Sequence, residues 1–296
     1  MISEIMKVSV FVPSHITGFF TIANDNDPLK KGSCGAGVLL DKGVLTTVKP
    51  SKNESKIDIK INGKRDVRHE FIAIKTLELL KKDFKIEDGL KINQKIGVPI
   101  GSGFGTSASS ALGVAIAFFK SFNINISFEY ASQYAHMAEI ELGSGLGDVI
   151  AETSKGIVFR KKPGAPGIGK VESILSSSEL SNIYIITKTL GKMDTGNIIG
   201  NPIHQKKINE IGLAIQKKFM IEPNIKNFLK YSLEFAKKTN LINKNVLKIV
   251  DEMNKYTLGA SMAMLGNTAF ALSNDPYSDI DGAIISKIDN NGVKIL

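Results

Sequence analysis

Three glycines on alternate positions stand directly before a run of hydroxyl residues in the segment 99–110 (PIGSGFGTSASS). Glycine lets backbone amides approach oxygen atoms closely, and a helix that starts after the glycines points its positive end at an anion. A hydroxyl group at the start of that helix can cap it or reach a magnesium ion. The segment therefore predicts a cradle for the phosphates of a nucleotide. We expect the contacts to come from Gly101, Gly103, Gly105, Thr106, Ser107, Ala108 and Ser109.

Two better-known phosphate loops do not fit this segment. The Walker A loop ends in Gly-Lys-Ser or Gly-Lys-Thr, and no lysine lies between Gly101 and Ser110. The dinucleotide fingerprint needs a third glycine at the position of Thr106. The remaining alternative is an ordinary tight turn capped by serine, which the three alternating glycines and the Thr-Ser helix start disfavour.

Two acidic residues that follow this loop could take part in phosphate chemistry. If residues 128–142 form a helix, Glu139 shares a face with His136 while alanines occupy another face, so Glu139 can point into a site. Asp148 ends the glycine-rich segment 143–147, which can present a carboxylate at a cleft. The alternatives are a solvated helix glutamate, with Glu141 as the competing neighbour, and an N-cap role for Asp148.

Arginine is scarce in this chain, at positions 65, 68 and 160. Arg160 follows the strand-like run 156–159, whose end could face the same cleft. Its planar guanidinium group can bind a carboxylate through two parallel hydrogen bonds. His136 taken alone is more typical of a core or surface histidine than of a ligand.

The elements that must position these residues follow a mixed order. The first half predicts a strand at 5–12 that Pro13 and Ser14 interrupt before a loop, two short strands within 38–48, a strand at 57–61, and helices at 69–82, 107–119 and 128–142. After the proline- and glycine-rich segment 161–170, the pattern predicts a strand at 183–187, helices at 203–218, 225–238 and 246–256, and strands at 268–272 and 282–288. This order predicts α+β layers rather than a doubly wound parallel sheet.

Composition narrows the function classes. The chain has 296 residues, of which 43% are hydrophobic and 23% charged, as in ordinary globular proteins. It shows neither a membrane-spanning apolar run nor a signal peptide, so we expect a cytoplasmic protein without a membrane partner. The single cysteine, Cys34, supports neither an internal disulfide nor a zinc site. The net charge of +9 comes from dispersed lysines, which favours a solvated surface or attraction of ATP over nucleic-acid binding.

Taken together, the motifs resemble the GHMP kinase family, the small-molecule kinases that include galactokinase, homoserine kinase, mevalonate kinase and phosphomevalonate kinase. The family's second motif reads Pro-x-x-x-Gly-Leu-Gly-Ser-Ser-Ala and is similar to residues 99–108, with Phe104 and Thr106 as departures. Residues 13–20 stand where the first motif lies, and residues 258–269 where the third lies. The resemblance therefore spans nearly the whole chain.

Within that family, four segments resemble the archaeal pantoate kinases. They are 15–20 (HITGFF), 32–37 (GSCGAG), 145–149 (GLGDV) and 163–167 (PGAPG). Mevalonate kinases and galactokinases tend to carry a basic residue and a Gly-Glu-His ending in the first motif, and this chain has neither Lys nor Glu between Pro13 and Phe20.

The resemblance implies a role for each candidate residue. Ser107 and Glu139 would hold Mg²⁺ on the nucleotide phosphates, with Ser109 and Glu141 left open as alternatives. Asp148 would be the catalytic residue that accepts the proton of the attacking hydroxyl. The implied substrate-binding residues are Ser33, His136, Arg160 and His15.

The resemblance also implies a two-domain α+β GHMP kinase fold, with a ribosomal protein S5 domain 2-like domain at 1–165, a ferredoxin-like domain at 166–296, and the site between them. The implied reaction is ATP-dependent, Mg²⁺-requiring phosphorylation of the 4-hydroxyl of (R)-pantoate, which gives 4-phosphopantoate for coenzyme A biosynthesis. The alternatives are a kinase of the same fold that acts on mevalonate, homoserine or shikimate, and a nucleotide-binding protein without turnover. A homodimer is left open.

Overall fold

The first of two sheets contains seven strands within residues 6–51, 55–175, 177–193 and 198–296, which are the residues that the computed structural model describes. Its strands are β1 (Val8–Ala23), β2 (Gly32–Ser51), β3 (Ile57–Ile61), β4 (Gly89–Ile96), β5 (Ile157–Lys162), β6 (Lys170–Ser173) and β11 (Lys294–Ile295). The order is β11-β1-β2-β4-β3, with β5 paired to the first half of β2 and β6 paired to β5.

The hairpin of β1 and β2 is the largest departure from the sequence prediction. Residue 5, at the start of the predicted strand 5–12, lies outside the described residues, and β1 continues through Pro13 to Ala23 without the predicted loop. The predicted pair of short strands within 38–48 is one long strand, β2. A register shift between Pro13 and Ser14 marks a β-bulge, which accommodates a proline inside a strand.

This irregularity lets β1 face two different layers. Val8 and Val12 pack in the core beneath the helices that follow β3 and β4. After the bulge, Ile16 and Phe19 belong to the core shared with the second sheet. Pro13 pairs with Gly43 and Ser14 with Leu40, so two extra residues of β2 lie at this irregularity, and β1 has one extra residue of its own, Gly18, between Thr17 and Phe19. These irregularities separate the half of β1 that faces the helices from the half that faces the second sheet.

Helices cover the first sheet. The structure gives α1 (Phe71–Phe84), α2 (Thr106–Ser121), α3 (Phe128–Leu142), α4 (Asp148–Glu152) and α5 (Ser177–Leu180). The predictions of α1, α2 and α3 are confirmed to within two residues, because their apolar residues recur at helical spacing. The side chain of Ser127 accepts a hydrogen bond from the Tyr130 backbone N–H at the start of α3, and Gly143 ends α3 with a φ of 63°.

The second sheet is antiparallel and has four strands. They are β7 (Tyr184–Gly191), β8 (Gly259–Met262), β9 (Asn267–Ser273) and β10 (Ile284–Lys287), in the order β10-β7-β9-β8. The helices between β7 and β8 are α6 (Pro202–Ile221), α7 (Ile225–Lys238) and α8 (Lys244–Met253). The last of them begins two residues before the predicted helix 246–256 and ends three residues earlier.

One hydrophobic core joins the two halves of the chain. The ring centroid of Phe19 on β1 lies 5.3 Å from that of Phe219 on α6 and 6.5 Å from that of Phe228 on α7. Strands β6 and β11, which follow residue 165, still belong to the first sheet, so sheet membership does not change there. The division at 165 and 166 stays a prediction, whereas the α+β architecture is confirmed. In the described ranges, no helix combines the length and apolarity needed to cross a membrane.

Candidate active site

A cavity of about 530 Å³ lies where the glycine loop, the segment after α3 and the first sheet meet. Most of the predicted site residues line it. The lining includes Ser33, Gly101, Gly103, Gly105, Thr106, Ser107, Asp148 and Arg160. The fold therefore brings together predicted residues that lie more than 120 positions apart in the chain.

The glycine loop has the backbone that the sequence predicts. Gly101, Gly103 and Gly105 have φ angles of 71°, 89° and 63°, in the left-handed region that glycine adopts readily. A Cβ atom on Gly103 would lie 3.0 Å from Cβ of Ala263, so the loop packs tightly against the C-terminal half. The loop ends at Gly105, which directly precedes α2. The N–H groups and positive end of α2 therefore point at the cavity.

The hydroxyl residues at the start of α2 separate into two groups. Thr106 and Ser107 line the cavity. Ser109 is fully buried and donates a hydrogen bond to the carbonyl oxygen of Pro13 or Gly105, each 3.3 Å away. Ala108 is buried in the core beneath the helices. Ser107, rather than Ser109, thus has its hydroxyl group at the site.

Ser107 pairs with an acidic side chain from α3. Its Oγ donates to Oε1 of Glu139 at 2.5 Å. Burial, followed by the charge of Asp148, raises the pKa of Glu139 to about 8, although the hydrogen bonds from Ser107 and Ser144 oppose that rise. Glu141 is directed away and forms an ion pair with Lys75 at 2.6 Å. The geometry thus distinguishes Glu139 from its neighbour.

This pair of oxygen ligands is compatible with Mg²⁺. Magnesium prefers oxygen donors, and proteins commonly hold it through one or two side chains together with substrate phosphates and water. The described residues contain no group of three or more His, Cys, Asp or Glu side chains that could hold a metal ion without a substrate. Ser107 and Glu139, next to a phosphate loop, fit an ion that arrives with a nucleotide.

Asp148 belongs to a chain of three side chains. Its Oδ1 lies 2.7 Å from Nδ1 of His15, and Nε2 of His15 lies 3.4 Å from Nη1 of Arg160. Because a guanidinium group can only donate, Nε2 must accept and Nδ1 must carry the proton that His15 donates to Asp148. Burial is the main cause that lowers the pKa of His15, which matches a neutral ring.

The environment keeps Asp148 ionised. Burial alone would raise the pKa of its carboxyl group, but the hydrogen bond from His15 and the nearby charge of Arg160 outweigh burial and lower it. The side chain is 28% exposed and lines the cavity. The carboxylate can therefore accept a proton from a hydroxyl group bound there.

Arg160 brings a positive charge to the same end of the cavity. It is 1% exposed, and its Nε has no hydrogen-bond partner among the described residues. A Cβ atom on Gly147 would collide with Oγ of Ser33 and would lie 3.0 Å from Nε of Arg160. Glycine at 147 therefore leaves room for both polar groups beside Asp148. A buried guanidinium group with an unsatisfied N–H group is costly unless an anion reaches it.

His136 does not line the cavity. It is buried, and its Nε2 lies 3.0 Å from the carbonyl oxygens of both Pro28 and Lys31, to which it donates. The structure thus places His136 where it holds the turn between β1 and β2, and the geometry gives no support to the substrate contact that the resemblance implies.

Several cavity residues were not predicted as site residues. Thr17 and Phe20 come from the first motif, and Met264 and Leu265 come from the third. Their positions within these two motifs could therefore have indicated that they line the site. Arg68 and His69, just before α1, also line the cavity. No spacing rule connects that segment to the glycine loop, and only the fold brings it there.

Comparisons with known proteins identify the family of this chain. Residues 72–156 match the sequence model of the GHMP kinases N terminal domain. The chain is 41% identical over 265 residues to pantoate kinase of Methanocaldococcus jannaschii, and the aligned region covers 89% of this chain and 92% of that protein. It is 33% identical over 292 residues to pantoate kinase of Thermococcus kodakarensis, which covers 96% of this chain and 93% of that protein.

A solved structure described as a phosphotransferase related to the CoA biosynthesis pathway is also similar. It shares 31% identity, covers 98% of both chains and superposes with a TM-score of 0.86. The two-domain GHMP kinase fold that the motifs imply is therefore confirmed. Sequence similarity over nearly the full length of both relatives leads to the same assignment. This chain belongs to the GHMP kinase family, among its pantoate kinases.

Proposed function

We propose that the protein transfers the γ-phosphoryl group of ATP to the 4-hydroxyl of (R)-pantoate and yields (R)-4-phosphopantoate for coenzyme A biosynthesis. The proposal depends above all on Arg160, whose guanidinium group is buried beside Asp148 and the glycine loop and whose Nε has no hydrogen-bond partner among the described residues. Pantoate supplies both groups that this arrangement needs, a carboxylate for the arginine and a primary hydroxyl for the aspartate.

The nucleotide phosphates are proposed to bind along the glycine loop. Backbone N–H groups at Gly103 and Gly105 and the positive end of α2 attract the phosphate oxygens. Mg²⁺, held by Ser107 and Glu139, would neutralise charge on the transferred phosphoryl group. Residues of α2 and α3 would thus hold the phosphate donor in place.

Asp148 is proposed as the general base. Its carboxylate accepts the proton of the 4-hydroxyl as that oxygen attacks phosphorus, and His15 keeps the carboxylate oriented through the Nδ1–H hydrogen bond. Positioning of the two substrates and neutralisation of charge provide the larger part of the rate in phosphoryl transfer.

The acceptor is proposed to bind between Arg160 and an apolar wall. Arg160 and Ser33 bind the carboxylate, since their polar groups converge beside Gly147. Phe20 and Leu146 line the same cavity and offer apolar contacts to the two methyl groups of pantoate. This combination of a cation and apolar side chains suits a branched hydroxy acid.

The test is ADP release by the purified protein with Mg·ATP and one of several acceptors, namely (R)-pantoate, pantothenate, mevalonate, homoserine and shikimate. We expect turnover with (R)-pantoate alone, because pantothenate carries an amide in place of the carboxylate that Arg160 would bind. Reactions without acceptor and reactions with (S)-pantoate are the controls.

Turnover with a different acceptor would keep the kinase and refute the pantoate assignment. Nucleotide binding without turnover on any acceptor would favour a binding protein without catalysis. A cytoplasmic location belongs to the same proposal, and a homodimer stays an untested prediction.

A further inference from the structure

Glu152 is a buried acidic side chain that the proposed reaction does not use. It ends α4, is fully buried, and neither of its carboxyl oxygens has a hydrogen-bond partner among the described residues. Ser109 lies close to it, but the Ser109 hydroxyl donates to the carbonyl oxygens of Pro13 and Gly105. Buried carboxyl groups are normally paired, so one without any partner calls for an explanation.

The carboxyl group lies directly against the phosphate loop. A Cβ atom on Gly105 would lie 2.5 Å from Oε1 of Glu152 and 3.4 Å from Cβ of Asp148. Gly105 is the residue that precedes α2, whose positive end is proposed to attract the nucleotide phosphates. A negative charge at Glu152 would therefore lie beside the group that binds the phosphates.

The surroundings of Glu152 oppose such a charge. Asp148, one turn earlier in α4, and Glu139 from α3 are both acidic and act on it. The titratable and charged groups on the strands that pack against α4 are His15 on β1, Cys34, Asp41, Lys42 and Lys49 on β2, Arg160, Lys161 and Lys162 on β5, and Lys170 and Glu172 on β6. Besides Glu139, the helices packed against α4 carry Lys120 on α2 and Glu129, Tyr130, Tyr134, His136 and Glu141 on α3. Within the described part of the chain, none of them bonds to Glu152. Burial first, and then the charge of Asp148, raises the pKa of Glu152 well above its ordinary value, although the nearby Ser109 hydroxyl opposes that rise.

We propose that Glu152 is a proton-holding group beneath the phosphate loop, which must be uncharged for nucleotide to bind and whose ionisation at alkaline pH weakens that binding. An ionised carboxylate would compete with the phosphates for the positive end of α2 and repel them. Because coupling between two sites is reciprocal, bound phosphates also strengthen the hold of Glu152 on its proton. The inference rests on the proposed function, in that it takes the glycine loop as the phosphate site.

The test is the dissociation constant of Mg·ADP, measured by titration calorimetry from neutral to alkaline pH. Three proteins are compared, namely the wild type, Glu152→Gln and Glu172→Gln. Glu172 is an acid at the surface, paired with Lys161 and Lys170, and serves as the matched control. The glutamine at 152 has nearly the shape of the acid but cannot ionise.

We expect the wild type and Glu172→Gln to lose affinity relative to Glu152→Gln by up to tenfold per pH unit above the pKa of Glu152. The comparison is made between proteins because Glu139, whose pKa is raised to about 8, titrates in all three of them. Equal alkaline slopes in all three proteins would overturn the inference. If the wild type fails to bind Mg·ADP even at neutral pH, the proposed function fails, and the inference falls with it for that separate reason.

A second measurement begins with the wild-type protein and can refute the proposal without any variant. Infrared spectra of the wild-type Mg·ADP complex at neutral pH should show the C=O band of a protonated carboxyl group, which disappears as the pH is raised. The difference between the wild-type and Glu152→Gln spectra should contain this band, and the difference between the wild-type and Glu172→Gln spectra should not. Any contribution of Glu139, which is common to all three proteins, cancels in both differences. A wild-type complex without any protonated carboxyl band at neutral pH would refute the proposal.

Discussion

At the scale of single residues, Asp148 combines a lowered pKa with access to the cavity. We expect Asp148→Asn to lower kcat by about 10²–10⁴-fold, because the amide cannot accept the proton of the attacking hydroxyl. The dissociation constant of ATP should change little, since Asp148 is not proposed to contact the phosphates. Single-turnover assays and calorimetry measure the two quantities separately.

Glu141→Gln provides the control for that experiment. Glu141 is an exposed acid on α3 that pairs with Lys75, so its loss should leave turnover unchanged. If Asp148→Asn turned over pantoate at the wild-type rate, Asp148 could not be the base.

Arg160 leads to a prediction about the acceptor. Lysine keeps the charge but lacks the planar fork that binds a carboxylate through two hydrogen bonds. We expect Arg160→Lys to raise the KM for pantoate about 10–100-fold, which corresponds to roughly 1.4–2.8 kcal/mol, with a much smaller effect on the KM for ATP. Steady-state kinetics with each substrate varied in turn provide the test.

The matched substitution is Arg65→Lys, at an exposed position before α1. It should leave both KM values as they are. Equal effects of Arg160→Lys on the two KM values would argue that the arginine supports the fold of the site rather than recognition of the acceptor.

At the scale of elements, the glycine loop can be tested with a pair of glycines of similar backbone. Gly103 has a φ of 89° and packs against Ala263, whereas Gly63 has a φ of 81° with no atom within 4 Å of an added Cβ. Alanine is strained in either place, so we expect both substitutions to lower the free energy of unfolding by about 1–2 kcal/mol. Only Gly103→Ala should also weaken ATP binding.

Chemical denaturation and nucleotide titration of both variants check this prediction. If Gly63→Ala weakened nucleotide binding as much as Gly103→Ala, general destabilisation would explain the loss, and the glycine loop would have no special part in it.

The helices of this protein were easier to predict than its strands. Helical periodicity located α3 correctly, and that helix placed Glu139 opposite Ser107. The first strands were wrongly divided because Pro13 and the glycines of β2 look like chain breaks in a local pattern. In the structure, a bulge accommodates Pro13 and long-range strand pairing accommodates the glycines of β2. Neither the bulge nor the long-range pairing can be recognised in a short window of sequence.

The site shows the same limit of local patterns. Spacing pointed to the glycine loop, Asp148 and Arg160, whose chemistry is recognisable residue by residue. The environment of His136 depends on two carbonyl groups more than 100 positions away, and that of Glu152 on the loop before α2. Such contacts arise only from the tertiary fold, so no local pattern indicates them.

At the scale of the whole molecule, the two halves share one core. Phe19 and Phe159 in the first half both pack on Phe219 in the second. We expect a fragment of residues 1–165 to be unable to fold cooperatively by itself, because it exposes this aromatic cluster and lacks β6 and β11. Circular dichroism and thermal unfolding of the fragment test the expectation.

Mixing the fragment with the complementary chain 166–296 is the informative control. Recovery of a cooperative transition on mixing would show that the missing contacts caused the defect. A fragment that unfolds cooperatively alone would instead establish residues 1–165 as an independent domain.

The pairing of β11 with β1 has a consequence for biosynthesis. Val10 and Phe11 are made early, but their partners Ile295 and Lys294 are made some 280 residues later. At ribosomal rates of about 5–20 residues per second, the outer edge of β1 stays open for roughly 15–60 s. An open strand edge can pair with the wrong chain, so a nascent chain is vulnerable to aggregation throughout this interval.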